Sequence, residues 1–503
     1  MRNGLTTCTA RWGASFLAAA VILFGLAPSG SYGQDATPAA RATPVAGLAS
    51  AGSAGIGDPY YPQLGNGGYD VEHYTIALDI DIAAGSLNTA ATTIDAIATQ
   101  DLSAFNLDFR GPEIDEVTVD GHTAAWTREG GELTVTPQVP LSSGAPFDIV
   151  VQYHGVPDGD DDRFEKGWWA TGNSVFAVGE PRGSDVWYPV NGHPLDKATY
   201  TLEITVPEEY EVVANGHRRE VSIADGLAGE STKTFVWEND EPTASYLVTF
   251  HAAKMDVTIE ERPDGITLLE AFPPSLDDQA RAVFDDVPEM MEFFASIFGP
   301  YPFTTLGSTV FEDTSFNAAL ETQGLVSYDA SSVRENTVAH EIAHQWFGNS
   351  VSPERWQDIW LNEAFARYSE VLWAEYAHGD EAAMATLRRQ MSSFANASRG
   401  TDGDEILIGD PGPEHLFSEA VYAGGALMLD DLRQRLGDET FFTLLRAWTT
   451  EYYHANANSD DFIALAEEVS GEDLDAFFHD WLETPWPAER VADRYSLNAT
   501  PFT

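Results

Sequence analysis

Two histidines four residues apart stand in the segment Val338-Ala-His-Glu-Ile-Ala-His-Gln-Trp-Phe-Gly-Asn349. On an α-helix this spacing places both side chains on one face, so His340 and His344 can hold a single metal ion. Glu341 then lies beside the metal, where its carboxylate can act as a general base on a water molecule. The pattern predicts a hydrolytic zinc site.

A catalytic zinc ion needs three protein ligands and one open coordination position. Glu363, in Trp360-Leu-Asn-Glu-Ala-Phe365, supplies the third ligand. Eighteen residues separate it from His344, enough for a connecting loop and a returning helix. We therefore expect one Zn²⁺ per chain on His340, His344 and Glu363. Glu341 would take a proton from the zinc-activated water and pass it to the leaving amine.

Local signals predict the helix that carries the histidines. Ser332 and Glu335 form a capping-box pattern, which predicts a helix that begins near Val333. Gly348 is a natural helix end. Apolar residues at helical spacing around Glu363 predict a second helix that returns toward the first.

The rest of the chain divides into two patterns. From Tyr69 to about residue 255, apolar residues alternate with polar ones in short segments separated by Gly, Asp and Pro. After Pro273 the pattern becomes helical. We predict an α+β multidomain protein: an N-terminal antiparallel β-sandwich or saddle domain over 58–255, then a mainly helical catalytic domain with a small sheet over 256–488, and a tail over 489–503.

The N-terminal residues 1–33 have the layout of a secretory signal peptide, with two arginines before an apolar run and then small residues. Residues 34–57 predict a flexible linker. We expect a secreted, extracytoplasmic protein. The alternative is an uncleaved membrane anchor, but the apolar run falls short of the roughly 20 residues that span a bilayer. Cys8 lies in the predicted signal, so the mature chain would have no disulfide.

The composition is strongly acidic. The chain has 80 acidic residues against 26 Lys plus Arg, for a net charge of −54. Such a charge repels nucleic acids and anionic lipid surfaces, so we expect neither as a partner. It attracts cations and peptides with a free ammonium group. Adaptation to a saline medium is an alternative reason for the charge, and we expect a monomer.

Five segments together resemble the aminopeptidase N family of zinc metallopeptidases, in the gluzincin clan. The resemblance covers about residues 60–485, and the segments that carry it are Tyr61–Asn66, Tyr69–Tyr74, Val338–Asn349, Trp360–Phe365 and Phe477–Leu482. The resemblance implies a thermolysin-like catalytic domain. It also implies an aminopeptidase that hydrolyses N-terminal residues from peptides.

Two further roles follow from the resemblance. Val421-Tyr-Ala-Gly-Gly-Ala426 is similar to the family segment whose tyrosine stabilises the oxyanion, which implies that role for Tyr422. Ala318-Ala-Leu-Glu-Thr322 stands where the family has Gly-x-Met-Glu-Asn, whose Glu binds the substrate amine. Only Glu321 matches that signature, and an ammonium group needs a carboxylate partner.

Two more glutamates are candidates. Glu180, in Val178-Gly-Glu-Pro181, resembles a second amine-binding acid of the family. Two acids around the ammonium would block longer chains and make the enzyme an exopeptidase. Glu370 lies two helical turns after Glu363, and we expect it to hydrogen-bond a ligand histidine from outside the metal's own ligand set.

Other functions stay open at this stage. A zinc endopeptidase of the same class is favoured if Glu321 and Glu180 do not converge on the zinc. An epoxide hydrolase side activity is another alternative. A catalytically inactive, secreted peptide-binding protein is a third, and the complete set of zinc ligands, base and tyrosine argues against it.

Overall fold

The computed structural model describes residues 49–159, 165–225, 231–312, 316–397 and 405–486. The predicted signal peptide 1–33 and the predicted tail 489–503 lie outside these ranges. Within them, every helix is too short or too polar to cross a lipid bilayer.

Strands dominate the first half of the described chain. They are β1 Ser50–Ala51, β2 Tyr69–Asp81, β3 Ser86–Ala98, β4 Leu102–Asp108, β5 Glu113–Val119, β6 His122–Thr123, β7 Ala125–Glu129, β8 Glu132–Thr136, β9 Pro146–Gly155, β10 Trp168–Ala170, β11 Ser174–Ala177, β12 Ala198–Pro207, β13 Glu211–Ala214, β14 His217–Asp225, β15 Ser231–Thr243 and β16 Phe250–Ala253. An eight-stranded sheet has the order β14-β15-β12-β2-β3-β9-β5-β6, and two four-stranded sheets have the orders β1-β4-β8-β7 and β10-β11-β16-β13. Side chains from all three sheets form one buried apolar cluster.

The alternating pattern of β2 explains its place in this core. Tyr69 and Val71 are buried, and the register with β3 then shifts between Val71 and His73. After this β-bulge the buried positions are Tyr74, Ile76 and the alternate residues that follow. A bulge adds one residue to a strand, so the apolar side chains on both sides of it face the same core.

The sequence pattern suggested a fully antiparallel β domain, but two strand pairs in it are parallel. β2 pairs with β12 in parallel, and β1 pairs with β4 in parallel. Parallel neighbours need a long crossover connection, and nine strands separate β2 from β12 along the chain. Sequence alternation reports which face of a strand is buried but not the direction of its neighbour.

The last residues of the predicted linker 34–57 join a sheet instead. The Ser50 amide donates to the Asp101 carbonyl at 3.0 Å, and the Gly52 amide donates to the Ala104 carbonyl at 2.9 Å. Main-chain hydrogen bonds to β4 and to the residue before it therefore fix residues 50–52, although their small side chains suggested a flexible segment. Residues 34–48 lie outside the described ranges.

Helices dominate the second half. They are α1 Asp278–Val283, α2 Val287–Phe298, α3 Glu335–Ala343, α4 Trp360–His378, α5 Asp380–Ala397, α6 Glu419–Leu436, α7 Asp438–Glu451, α8 Ser459–Ser470 and α9 Asp475–Leu482. The strands are β17 Asp256–Glu261, β18 Thr267–Phe272, β19 Thr305–Phe311, β20 Ala319–Leu320, β21 Leu325–Asp329, β22 Ser352–Pro353 and β23 Asn456–Ala457. β17 to β21 form one sheet of order β17-β18-β19-β21-β20. A β-rich half followed by a mainly helical half with a small sheet confirms the predicted fold class.

The predicted capping box at Ser332 is wrong. Ser332 lies in a 3-10 turn, and its hydroxyl donates to the Asp329 carbonyl at 2.7 Å. Glu335 instead accepts a hydrogen bond from the Trp373 indole at 2.8 Å. α3 therefore begins at Glu335, because both candidate capping side chains have other partners.

A lysine of the β domain binds main-chain carbonyls of the helical half. Lys197 Nζ donates to the carbonyls of Asn349, Ser350 and Ala455 at 3.1, 2.9 and 3.2 Å. Asn349 and Ser350 follow the histidine helix, and Ala455 precedes β23. Burial lowers the pKa of Lys197 to about 7. One side chain thus fixes the loop behind the candidate metal ligands.

Replacing this lysine by methionine tests its contribution. Lys197→Met keeps the aliphatic stem but removes three hydrogen bonds worth about 1 kcal/mol each, so we expect the free energy of unfolding to fall by about 3 kcal/mol. Urea unfolding at neutral pH measures the change. Lys254→Met is the matched control, because Lys254 makes one exposed ion pair with Glu209 at 3.7 Å. Equal urea midpoints for the two variants would contradict the assignment.

Candidate active site

α3 carries His340 and Glu341, and His344 follows directly as its C-cap residue with helical backbone angles; all three side chains are buried. Val338 and Ile342 pack into the helical core, which turns His340 and His344 toward the opposite side. His344 Nδ1 lies 3.0 Å from the Phe347 carbonyl oxygen. A carbonyl can only accept, so Nδ1 carries the proton and Nε2 of His344 keeps a free lone pair.

α4 brings Glu363 to the two imidazoles. The Phe347 and Phe365 rings stack at 4.5 Å with an interplanar angle of 9°, which packs the loop after α3 against the start of α4. Glu363 Oε2 lies 3.3 Å from His340 Nε2 and 3.4 Å from His344 Nε2. The two Nε2 atoms are 3.1 Å apart. Three ligand atoms therefore converge on one point.

The triangle has the dimensions of a zinc site. Ligand atoms about 2.0–2.1 Å from a tetrahedral zinc ion lie about 3.3–3.4 Å from one another, close to the observed separations. Glu363 Oε2 is buried and receives no aligned hydrogen bond within the described residues. Two imidazoles and one carboxylate are a donor set that zinc prefers. The residues present thus fit the ion.

The charges at the triangle favour a cation there. Burial opposes ionisation of the imidazoles, but the nearby carboxylates raise the pKa of His340 and His344 above the ordinary value. Burial also opposes ionisation of Glu363, yet His344 and His340 hold its pKa well below the usual range. A metal cation can replace the protons that these groups attract.

Glu370 lies behind His340, as the helical spacing from Glu363 suggested. Its Oε1 is 3.2 Å from His340 Nδ1, a contact distance whose angle is not that of a hydrogen bond. Asn336 Nδ2 donates to Oε2 of Glu370 at 3.1 Å. A carboxylate this close to Nδ1 favours a proton on that nitrogen, which leaves Nε2 of His340 to a metal ion.

Glu341 is buried beside the triangle. Burial raises its pKa well above the ordinary value, and Glu321, Glu363 and Glu370 raise it further against the opposing effect of His344. One ligand atom each of Glu341, Glu321 and His344 lies within 4.8 Å of the others. A carboxyl group with a raised pKa next to the metal position can accept and return a proton.

Glu321 directly follows the edge strand β20, and two amides fix its main chain. Gln345 Nε2 and Asn349 Nδ2 donate to the Glu321 carbonyl at 3.0 and 2.7 Å. The side chain points elsewhere: Oε1 of Glu321 is buried and has no hydrogen-bond partner in the described part of the chain. Its carboxylate is therefore available to a ligand.

Glu180 reaches the same cavity from the loop after β11. Its Oε1 is also buried and lacks a hydrogen-bond partner among the described residues. Burial raises the pKa of Glu180 well above its ordinary value, and the negative charges of Glu321, Glu363 and Glu341 add to the effect. A positively charged ligand group would relieve this repulsion.

Tyr422 lies in the first turn of α6. Ser418 caps this helix, since its hydroxyl oxygen accepts from the Ala420 amide at 3.1 Å. The Tyr422 ring is parallel to the His340 ring, with centroids 5.9 Å apart and an angle of 5°. Burial and the charges of Glu363 and Glu180 raise the Tyr422 pKa well above its ordinary value. The hydroxyl thus keeps its proton at neutral pH and can donate it in a hydrogen bond.

All the site residues predicted from the sequence line one cavity of about 190 Å³. Those residues are Glu180, Glu321, His340, Glu341, His344, Glu363, Glu370 and Tyr422. The β domain contributes Glu180, and the helical half contributes the others. Convergence of Glu321 and Glu180 on the triangle removes the condition that favoured an endopeptidase.

Sequence reasoning missed three polar residues in the cavity lining: Asn336, Thr337 and Arg367. Helical spacing could have found them. Asn336 and Thr337 lie one turn before His340 on α3, and Arg367 lies one turn after Glu363 on α4. Residues one turn from a metal ligand share its helix face.

Curated relatives of this chain include several aminopeptidases. It is 29% identical to aminopeptidase N of Streptomyces lividans over 325 residues, which cover 57% of this chain and 35% of that protein. It is 25% identical to glutamyl aminopeptidase of Bos taurus over 370 residues, which cover 68% of this chain and 38% of that protein. The chain spans 35% to 39% of the length of such aminopeptidases, and 53% of the length of the tricorn protease-interacting factor F2 of Thermoplasma acidophilum, to which it is 23% identical over 82% of this chain.

Solved structures match over more of their length. A crystal structure of an M1 zinc metallopeptidase from Deinococcus radiodurans superposes with a TM-score of 0.77 at 26% identity, covering 86% of this chain and 99% of the Deinococcus chain. A mutant of that protein bound to a Tyr-Ser-Ala substrate matches equally, with a TM-score of 0.77, 26% identity and coverage of 86% and 98%.

Two family models account for both halves of the molecule. The Peptidase M1 N-terminal domain matches residues 70–247, and the Peptidase family M1 domain matches residues 283–481. The second match contains the triangle of His340, His344 and Glu363, and zinc is the metal of this family. The chain belongs to the M1 family of zinc metallopeptidases.

Proposed function

We propose that this chain is an aminopeptidase that releases N-terminal residues from peptides. The observation that carries the proposal is the pair of buried carboxylates, Glu321 and Glu180, whose Oε1 atoms have no hydrogen-bond partner in the described residues and which share a cavity with the metal triangle. The amine of a peptide's first residue is a cation of the right size to bind there.

Distances along a peptide agree with this placement. The α-amino nitrogen and the first carbonyl carbon of a peptide are about 2.5 Å apart, because two covalent bonds separate them. Glu321 and Glu341 have carboxylate oxygens within 4.8 Å of each other. An amine held by Glu321 would therefore place the first peptide bond next to Glu341.

Each residue then has a defined task. When bound by His340, His344 and Glu363, zinc supplies Lewis-acid activation of water and of the carbonyl. Glu341 accepts a proton from the attacking water and returns it to the leaving amine. The Tyr422 hydroxyl donates a hydrogen bond to the oxygen that becomes negative in the transition state.

A pair of substrates tests the proposal directly. The mature chain should cleave an aminoacyl chromogenic substrate but not the same compound with its amine acetylated. Equal rates on the free-amine and acetylated substrates would contradict the exopeptidase assignment and favour an endopeptidase. Inactivity on both, with zinc bound, would favour a peptide-binding protein.

The amine-binding role of Glu321 has its own variant. In Glu321→Gln the ammonium loses a buried charged partner, so we expect kcat/KM on the free-amine substrate to fall on the order of 100-fold. Glu451→Gln removes an exposed carboxylate from α7 and serves as the control. Similar kcat/KM values for the two variants would show that Glu321 does not bind the amine.

Two isosteric variants separate proton transfer from metal binding. Glu341→Gln should lower kcat by about 1,000-fold or more and keep one zinc per chain, because only the base is lost. Glu363→Gln should lose zinc on dialysis, because the anionic ligand is gone. Metal content by mass spectrometry, with steady-state kinetics, gives both results. Zinc loss in the first variant, or full zinc and activity in the second, would refute these roles.

We also infer that the chain acts outside the cytoplasm. The basic, apolar and small-residue order of residues 1–33 supports export, as does the position of its single cysteine, Cys8, within that segment. N-terminal sequencing of the protein recovered from the producing cells' medium should begin near Gln34. A chain that starts at Met1 and stays with the membrane would support the anchored alternative.

A further inference from the structure

Arg367 lines the catalytic cavity but has no role in the reaction described above. It lies on α4, four residues after Glu363 and three before Glu370, on the face that carries both. Five glutamates line the same cavity: Glu180, Glu321, Glu341, Glu363 and Glu370. A guanidinium group stays charged at any pH that the protein meets.

The two terminal nitrogens of Arg367 bind two different carboxylates. Nη1 donates to Glu370 Oε1 at 3.1 Å, and Nη2 donates to Glu419 Oε1 at 2.8 Å. The same Oε1 of Glu370 lies 3.2 Å from His340 Nδ1. A single oxygen thus contacts both the guanidinium group and the imidazole of a metal ligand.

The guanidinium group also lies over the ring of Tyr422, the candidate oxyanion donor. Arg367 Cζ lies 5.2 Å from the centroid of the Tyr422 ring, within the range of a cation–π interaction. Glu419 and Tyr422 are three residues apart in the first turn of α6, so Arg367 contacts one face of that turn. Tyr422 in turn stacks parallel to His340.

We propose that Arg367 is a positioning residue of the peptidase reaction, which fixes Glu370 behind His340 and holds the Tyr422 ring in place against His340. The proposal rests on the proposed function for its kinetic part. It has two separable components. The contact with Glu370 depends on positive charge, whereas the contact with Tyr422 depends on the broad guanidinium group, which lysine lacks.

The two components respond differently to substitution. Arg367→Gln removes both, so we expect zinc affinity to fall about 10-fold or more and kcat to fall about 10- to 100-fold, with KM within twofold of wild type. Arg367→Lys restores a charge next to Glu370 but cannot stack or bind both carboxylates. It should recover zinc affinity to within about threefold of wild type and leave kcat low.

Arg433 is a matched control. It lies in the last turn of α6, donates to Glu375 and Asp438 at 2.8 Å each, and its Cζ lies 5.1 Å from the Phe442 ring. Arg433→Gln thus removes the same set of contacts from the opposite end of the helix that carries Tyr422. It should lower the melting temperature and leave zinc affinity and kcat within twofold of wild type.

Chelator competition measures the zinc affinity of each variant, and steady-state kinetics on the free-amine substrate measure its kcat and KM. The proposal is overturned if Arg367→Gln matches Arg433→Gln in both, or if Arg367→Lys recovers kcat and zinc affinity together. Should the wild-type chain cleave no aminoacyl substrate, the proposed function fails. The zinc affinities would then still decide whether Arg367 supports His340 through Glu370.

Discussion

Buried negative charge at one cavity is the constraint on which the site depends. Five glutamates line it, and a carboxylate removed from water is unstable unless a cation or hydrogen-bond donors face it. The chain supplies one cation itself, Arg367, on the side of Glu370. Two further cations fit the remaining groups. A zinc ion fits the metal triangle, and a substrate ammonium group fits the unpaired oxygens of Glu180 and Glu321.

The fold holds these like charges together from several separate elements. α3 and α4 present the triangle, α6 presents Tyr422, and the loops after β11 and β20 present the two amine-binding candidates. Donors outside the cavity fix the backbone of these elements, such as Lys197 on the loop after α3 and Asn349 on the carbonyl of Glu321. Such preorganisation places ligand groups before metal and substrate arrive, which lowers the free energy needed to assemble the site.

Local sequence predicted the parts of the site that follow from helix geometry. The spacing of His340 and His344 predicted that both lie on one face of a helix. The spacing of Glu363 and Glu370 predicted the same for the helix that returns, α4. The predicted start of α3 was wrong because the Ser332 hydroxyl donates to the Asp329 carbonyl and the Glu335 carboxylate accepts from Trp373, and the spacing of the two residues does not report which partner each side chain takes. Parallel pairing of β2 with β12 and the burial of Lys197 also depend on residues far apart in the chain. Resemblance, not spacing, pointed to Glu180, Glu321 and Tyr422.

The most direct test is the X-ray absorption spectrum of the purified mature chain at the zinc edge. We expect one zinc per chain with only nitrogen and oxygen neighbours at about 2.0–2.1 Å, two of them showing the multiple scattering of imidazole. A spectrum without imidazole scattering, as zinc on the partly buried Glu467 and the exposed Asp473 and Asp475 would give, would contradict this assignment.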